Sequence, residues 1–196
     1  MDAITLLKED HRAVKGLFRK FEQAGDRAYT TKRKLVDKMI GELSVHAAIE
    51  EQIFYPSIRH AIEQTEDEVL EALEEHHVVK WTLSELEKMD PKDERFDAKV
   101  TVLIESVRHH IGEEEEEMFP KVRKAFSRTQ LNDLGDLMER SKAAAPKSPH
   151  PRSPDEPPGN IVAAPVLAII DAGKGLAQKT GKAIVQKAKR SRSKAS

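Results

Sequence analysis

Two stretches of the chain repeat one arrangement of side chains. His46-Ala-Ala-Ile-Glu50-Glu51-Gln-Ile-Phe-Tyr-Pro56 matches His110-Ile-Gly-Glu-Glu114-Glu115-Glu-Glu-Met-Phe-Pro120. In both, Glu follows His by four residues and Pro follows it by ten. On a helix, a His and a Glu at that spacing share one face, a turn apart, within reach of a common ion. A second pair of segments repeats too: Glu-Asp-His11-Arg-Ala-Val-Lys15 matches Glu-Glu-His76-His-Val-Val-Lys80, 65 residues later. Two similar halves imply a site with pseudo-twofold symmetry.

The elements that must position these groups are helices. Residues 1–140 hold only three Pro and no sustained alternation of the strand type. The spacing predicts helices over about Ile4–Gln23, Thr31–Ala61, Thr65–Met89 and from after Asp93 to about Phe126. Thr65 with Glu68, and Ser127 with Gln130, have the spacing of capping boxes, the latter opening a short fifth helix. Short connections make neighbouring helices antiparallel, so the expected fold is all-α, an up-and-down four-helix bundle.

Each apolar stripe is interrupted by histidine at the same depth. The stripes are Leu7, His11, Val14, Phe18, Phe21; Val36, Met39, Leu43, His46, Glu50, Ile53; Val69, Leu73, His76, Val79, Leu83, Leu86; and Val100, Leu103, Val107, His110, Glu114, Met118. A stripe of this period faces the core. One His on such a face is ordinarily a hydrogen-bonded core residue. Four at matched depth, two carrying Glu a turn on, would bury imidazoles and carboxylates together at a heavy desolvation penalty. A pair of metal ions satisfies all six. His77 falls on a mixed boundary and His109 on a polar face, so both sit beside the site or at the surface. His60 and His150 read as solvated. In the Glu113–Glu117 run only Glu114 lies on the stripe. Glu51 and Glu115 fit two readings equally: acceptors that orient an imidazole, or plain surface carboxylates.

On these residues the chain resembles the hemerythrin-like HHE cation-binding domains. The resemblance rests on His11, His46-xxx-Glu50 with its Tyr-Pro end, Glu-His76, and His110-xxx-Glu114 with its Phe-Pro end, over roughly residues 3–125. It implies the four-helix bundle and a non-haem di-iron centre bridged by an oxygen atom (oxo or hydroxo) and by carboxylates. Carried over, Glu50 and Glu114 are the bridging carboxylates, His11 and His46 bind one iron, and His76 and His110 the other. One departure stands out. The oxygen-carrying hemerythrins have a fifth histidine a turn beyond the third-helix ligand, and here that position is Lys80. Each ion then keeps an open position, unless His77 or a neighbouring Glu fills one. The expected ligand is small: dioxygen, peroxide or nitric oxide.

Mixed nitrogen and oxygen donors suit iron, or manganese, better than structural zinc. Ferritin-like bundles place Glu before His and use more carboxylates; here the order is reversed and imidazole dominates. With no Cys in 196 residues, thiolate sites, iron–sulfur clusters and disulfides are excluded.

The formal net charge of −1 conceals a division. Residues 141–196 hold 11 Lys/Arg and 3 Asp/Glu, a net of +8, which leaves −9 on residues 1–140. The expected organisation is a bundle over 1–140, a Pro-rich linker over 141–160 and a disordered or weakly helical basic tail over 161–196. The tail suggests an anionic partner, nucleic acid or a membrane surface, met through phosphates because no aromatic follows Phe126. An alternative function follows: an iron- or redox-responsive regulatory protein whose tail carries the output. The charged start and the short apolar run Ile161–Ile170, broken by Pro165, leave no signal peptide or membrane span, so a cytoplasmic protein is expected.

Overall fold

A computed structural model describes residues 1–152, and the expected basic tail and the linker beyond Arg152 lie outside them. Among the described residues every regular element is helical. Helix α1 (Ala3–Glu22) opens on Asp2, whose side chain accepts from the Thr5 backbone N–H at 3.0 Å. It pairs with α2 (Tyr29–Ile49). A π-helical segment, Glu50–Phe54, then leads into α3 (Tyr55–Ala61). Helix α4 (Glu66–Lys88) pairs with α5 (Phe96–Glu113), which runs through a second π segment, Glu114–Met118, into α6 (Phe119–Ala125). These make the four-helix bundle. Helix α7 (Arg128–Lys142) lies across α1 and α2.

The helix spans match the periodicity, but two local expectations do not. The second and fourth helices are not continuous α-helix. In each, a backbone N–H reaches the carbonyl five residues back: Tyr55 to Glu50, and Phe119 to Glu114. The next residues, Pro56 and Pro120, have no N–H and would collide with a regular preceding turn. One extra residue in the turn relieves that, and such bulges recur at functional sites. The Thr65–Glu68 capping box is also absent. The Thr65 hydroxyl instead donates to the Ile62 carbonyl at 2.8 Å within a 3-10 turn, Glu63–Thr65, and Glu68 pairs with Lys121. The Ser127–Gln130 box does form and starts α7.

The apolar core divides in two. One cluster holds Ile4, Leu7, Ile53, Phe54, Ile58, Phe119 and, from α7, Leu131, Leu134 and Met138. The other holds Val14, Phe18, Val36, Met39, Leu83, Phe96, Val100 and Val107. The histidine layer sits between them. Helix α7 approaches the start of α1 so closely that a Cβ on Gly135 would lie 2.1 Å from the Met1 carbonyl oxygen.

Candidate metal centre

His11, His46, His76, His110, Glu50 and Glu114 are all buried, Glu50 completely. Each reaches the layer from its own stripe: α1 supplies His11, α2 His46, α4 His76 and α5 His110, while the two glutamates start the π segments. They form two overlapping groups. In one, donor atoms of His11, His46, Glu50 and Glu114 lie within 4.8 Å of one another; in the other, those of Glu50, His76 and His110 do. Glu50 belongs to both. His46 Nε2 lies 3.1 Å and His76 Nε2 3.4 Å from Glu50 Oε2, and His11 Nε2 lies 3.2 Å from Glu114 Oε2.

All four imidazoles turn the same way. Each Nδ1 lies against a carboxylate: His11 on Glu115 at 2.9 Å, His46 on Asp10 at 3.5 Å, His76 on Glu51 at 3.1 Å and His110 on Glu75 at 2.7 Å. A carboxylate only accepts, so each Nδ1 carries the proton and each Nε2 presents a lone pair inward. The pattern follows the repeat. The acid before the first His of each half (Asp10, Glu75) holds the second His. The acid after the Glu that opens each π segment (Glu115, Glu51) holds the first. Lys15 and Lys80 in turn bind Glu115 at 3.2 Å and Glu51 at 2.8 Å, and Lys142 binds Asp10 at 2.6 Å.

Sequence periodicity left Glu51 and Glu115 undecided and passed over Asp10, Glu75 and Tyr55. The π turn explains part of this, because it lets the consecutive Glu50 and Glu51 both face inward. It also brings the Tyr55 hydroxyl into the layer, donating to Glu114 Oε1 at 3.0 Å and lying 3.4 Å from His76 Nε2. The repeat has Phe119 in the equivalent place. His77 lies outside both groups and accepts from the Trp81 indole N–H at 3.0 Å. His109 is exposed and faces Glu75 and Glu113. His60 and His150 are exposed as well.

The electrostatics match a site built for cations. Burial, and then the neighbouring Glu114 charge, push the Glu50 carboxyl well above its ordinary range. Glu114 goes the other way: burial opposes it, but His110 and His11 hold it ionised far below the usual carboxylate range. Burial lowers His46 to about 4 and also lowers His76. For His110 burial is outweighed by Glu114 and Glu75, and its value rises. Five buried side-chain atoms of the layer have no hydrogen-bond partner among the described residues: His11 Nε2, His46 Nε2, both Glu50 oxygens and Glu114 Oε2. His76 Nε2 and His110 Nε2, both lone-pair bearing, stand 3.1 Å apart. Native cores rarely leave such groups orphaned. Positive ions among them remove the conflict, so the residues present fit a metal pair.

The profile of the Hemerythrin HHE cation binding domain matches residues 2–122. The chain belongs to that family. A hemerythrin-like protein of Schizosaccharomyces pombe is 28% identical over 172 residues, covering 87% of this chain and 84% of its own length. A crystal structure of a hemerythrin HHE domain protein from Mycobacterium kansasii superposes with a TM-score of 0.62 at 26% identity, over 74% of this chain and 86% of that one. A DNA nickase of Nostoc is 25% identical over 143 residues, and the match spans only 40% of that protein. The hemerythrin-like bundle is therefore a cation-binding domain. Among the described residues, no helix is long and apolar enough to cross a membrane.

Proposed function

We propose that the bundle holds two iron ions between its apolar clusters and presents them to a small oxidant: dioxygen, peroxide or nitric oxide. The observation that carries this is the set of five orphaned donor atoms among six convergent His and Glu side chains. In this reading His11 and His46 would hold one ion, His76 and His110 the other, and Glu50 and Glu114 would be shared between them. Nitrogen and oxygen donors without thiolate favour iron, with manganese the second choice. An iron pair, when bound, supplies redox chemistry toward such oxidants.

The residues around the pair set what can reach it. A cavity of about 20 Å³ borders the four imidazoles and is otherwise lined by Val14, Leu43, Ala47, Val79, Val107 and Ile111. Its size and apolar wall suit a diatomic or peroxide and exclude an organic substrate. Lys80 is committed to Glu51 and adds no nitrogen donor, so the donor set differs from that of the oxygen carriers. Anaerobic iron-loaded protein should change its near-ultraviolet and visible absorption on mixing with at least one of the three oxidants. Indifference to all three would contradict the reading.

A second reading rests on the +8 net charge of residues 141–196. There the bundle senses iron or redox state and the tail contacts an anionic partner. The kinship with a DNA nickase makes nucleic acid the first partner to test. Deleting residues 153–196 should abolish salt-sensitive binding to duplex DNA in this reading and leave the oxidant reaction intact in the first.

A further inference from the structure

The two halves of the chain differ sharply on one face. Aligning His11 with His76 and His46 with His110 pairs Ala3, Leu6, Ile49 and Ile53 with Glu68, Glu71, Glu113 and Glu117. The apolar set is buried and packs with Leu131, Leu134 and Met138 of α7. Among the described residues, no apolar helix covers its acidic counterpart. It borders a cavity of about 60 Å³ between α4 and the second π segment, lined by Glu68, Glu71, Glu75, Glu113 and Glu117.

The inner end of this cavity is Glu114 and His110. Glu114 is 1% exposed, and its Oε2 is one of the orphaned atoms. Two of its lining carboxylates, Glu75 and Glu113, bring donor atoms within 4.8 Å of each other and of His109. His109 is exposed, and its Nε2 lies 3.1 Å from Glu113 and 3.9 Å from Glu75. Lys121 neutralises Glu68 at one edge, but the remaining lining charges are carboxylates, and a predominantly acidic cleft focuses the field and concentrates cations. Carboxylates beside an imidazole are hard donors suited to a hydrated divalent cation.

We propose that this acidic corridor is the route by which divalent metal enters the centre, with Glu75, His109 and Glu113 as a transit site at its mouth. The inference rests on the metal-pair reading above. Helix α7 closes the equivalent route in the other half, so loading is one-sided although the centre is pseudo-symmetric. Glu75 links the two sites, since the same carboxylate that meets His109 also orients His110.

The test is the rate of Co(II) uptake by the full chain, followed by ligand-field absorption, which needs no redox step. A Glu71→Gln, Glu117→Gln variant removes two corridor carboxylates and none of the groups in the centre. A Glu87→Gln, Glu94→Gln variant removes the same charge elsewhere. At low ionic strength the corridor variant should load about tenfold more slowly, the control at the parent rate, and both to two ions per chain. The difference should shrink as salt rises. Equal rates for corridor variant and parent would overturn the proposal, as would equal slowing of the control or a lower final stoichiometry in the corridor variant. A parent that binds no Co(II) would sink the metal pair itself, a result distinct from these.

Discussion

Lys80 Nζ lies 2.8 Å from Glu51 Oε1, and His76 Nδ1 lies 3.1 Å from the same oxygen. All three side chains are buried. The lysine stands at the helical position that oxygen-carrying hemerythrins fill with a fifth histidine. Here it neutralises the carboxylate that orients an inward-facing imidazole of the histidine layer. Lys80→Met leaves Glu51 buried without that cation. The expected cost is about 3–5 kcal/mol in urea unfolding, with metal affinity weakened by about 10–100-fold. Lys80→Met with Glu51→Gln should recover much of the stability but not the affinity.

The pseudo-symmetric pair, Lys15 with Glu115, is 35% and 28% exposed. Solvent screens it, so Lys15→Met should cost under about 1 kcal/mol. Unfolding curves of the two lysine variants, run side by side, measure how far burial rather than geometry separates the two halves.

Tyr55 gives the first half a hydroxyl in the histidine layer that Phe119 does not give the second. Tyr55→Phe copies Phe119 into the first half and strips Glu114 of its hydrogen-bond donor. The metal-free protein should lose about 1–3 kcal/mol, measured by urea unfolding. Loading with metal should narrow the gap, because a cation then compensates Glu114.

Gly135 seats α7 on the start of α1. Gly135→Ala meets backbone at 2.1 Å and must push the helix away, since none of the three nearest contacts is a side chain that could move. The expected cost is about 1–3 kcal/mol, with the Lys142–Asp10 pair loosened. Hydrogen exchange along α7 should speed up before that of α4 and α5.

Acid should weaken the metal-free bundle. His46 and His76 have lowered values when folded, so the unfolded chain takes up their protons first. Their contribution is complete above about pH 6.5 and, for His46, is lost as pH falls to about 4. His110 is raised and acts in the opposite sense: its contribution is complete below about pH 6.5 and is lost as pH rises through its folded value. Glu50 is raised as well and opposes the two lowered imidazoles, but two groups outweigh one, so melting temperature should drop between pH 6.5 and 4, and less steeply in His46→Gln.

The bundle and the depth of the histidine layer were legible because a 3.6-residue period marks the inward face of each helix. The same period hid what surrounds the imidazoles. Asp10 and Glu75 precede a stripe residue and point away from their own helix's core face; they matter because an imidazole on a neighbouring helix reaches them. Glu51 and Tyr55 face inward only through the π turn, which shifts the helical phase by one residue. Its trace in the sequence was the Pro ten residues after each His, a residue that the interior of a regular helix does not tolerate. The Thr65–Glu68 signal misled because a 3-10 turn had already engaged the threonine hydroxyl.

The central claim is tested most directly by counting metal. The full chain, loaded anaerobically with ferrous iron and freed of excess, should carry two irons per chain. His46→Ala with His110→Ala, which removes one imidazole from each group, should carry fewer than one while the helical circular dichroism persists. A parent holding one iron or none, or a double variant still holding two, would contradict the account.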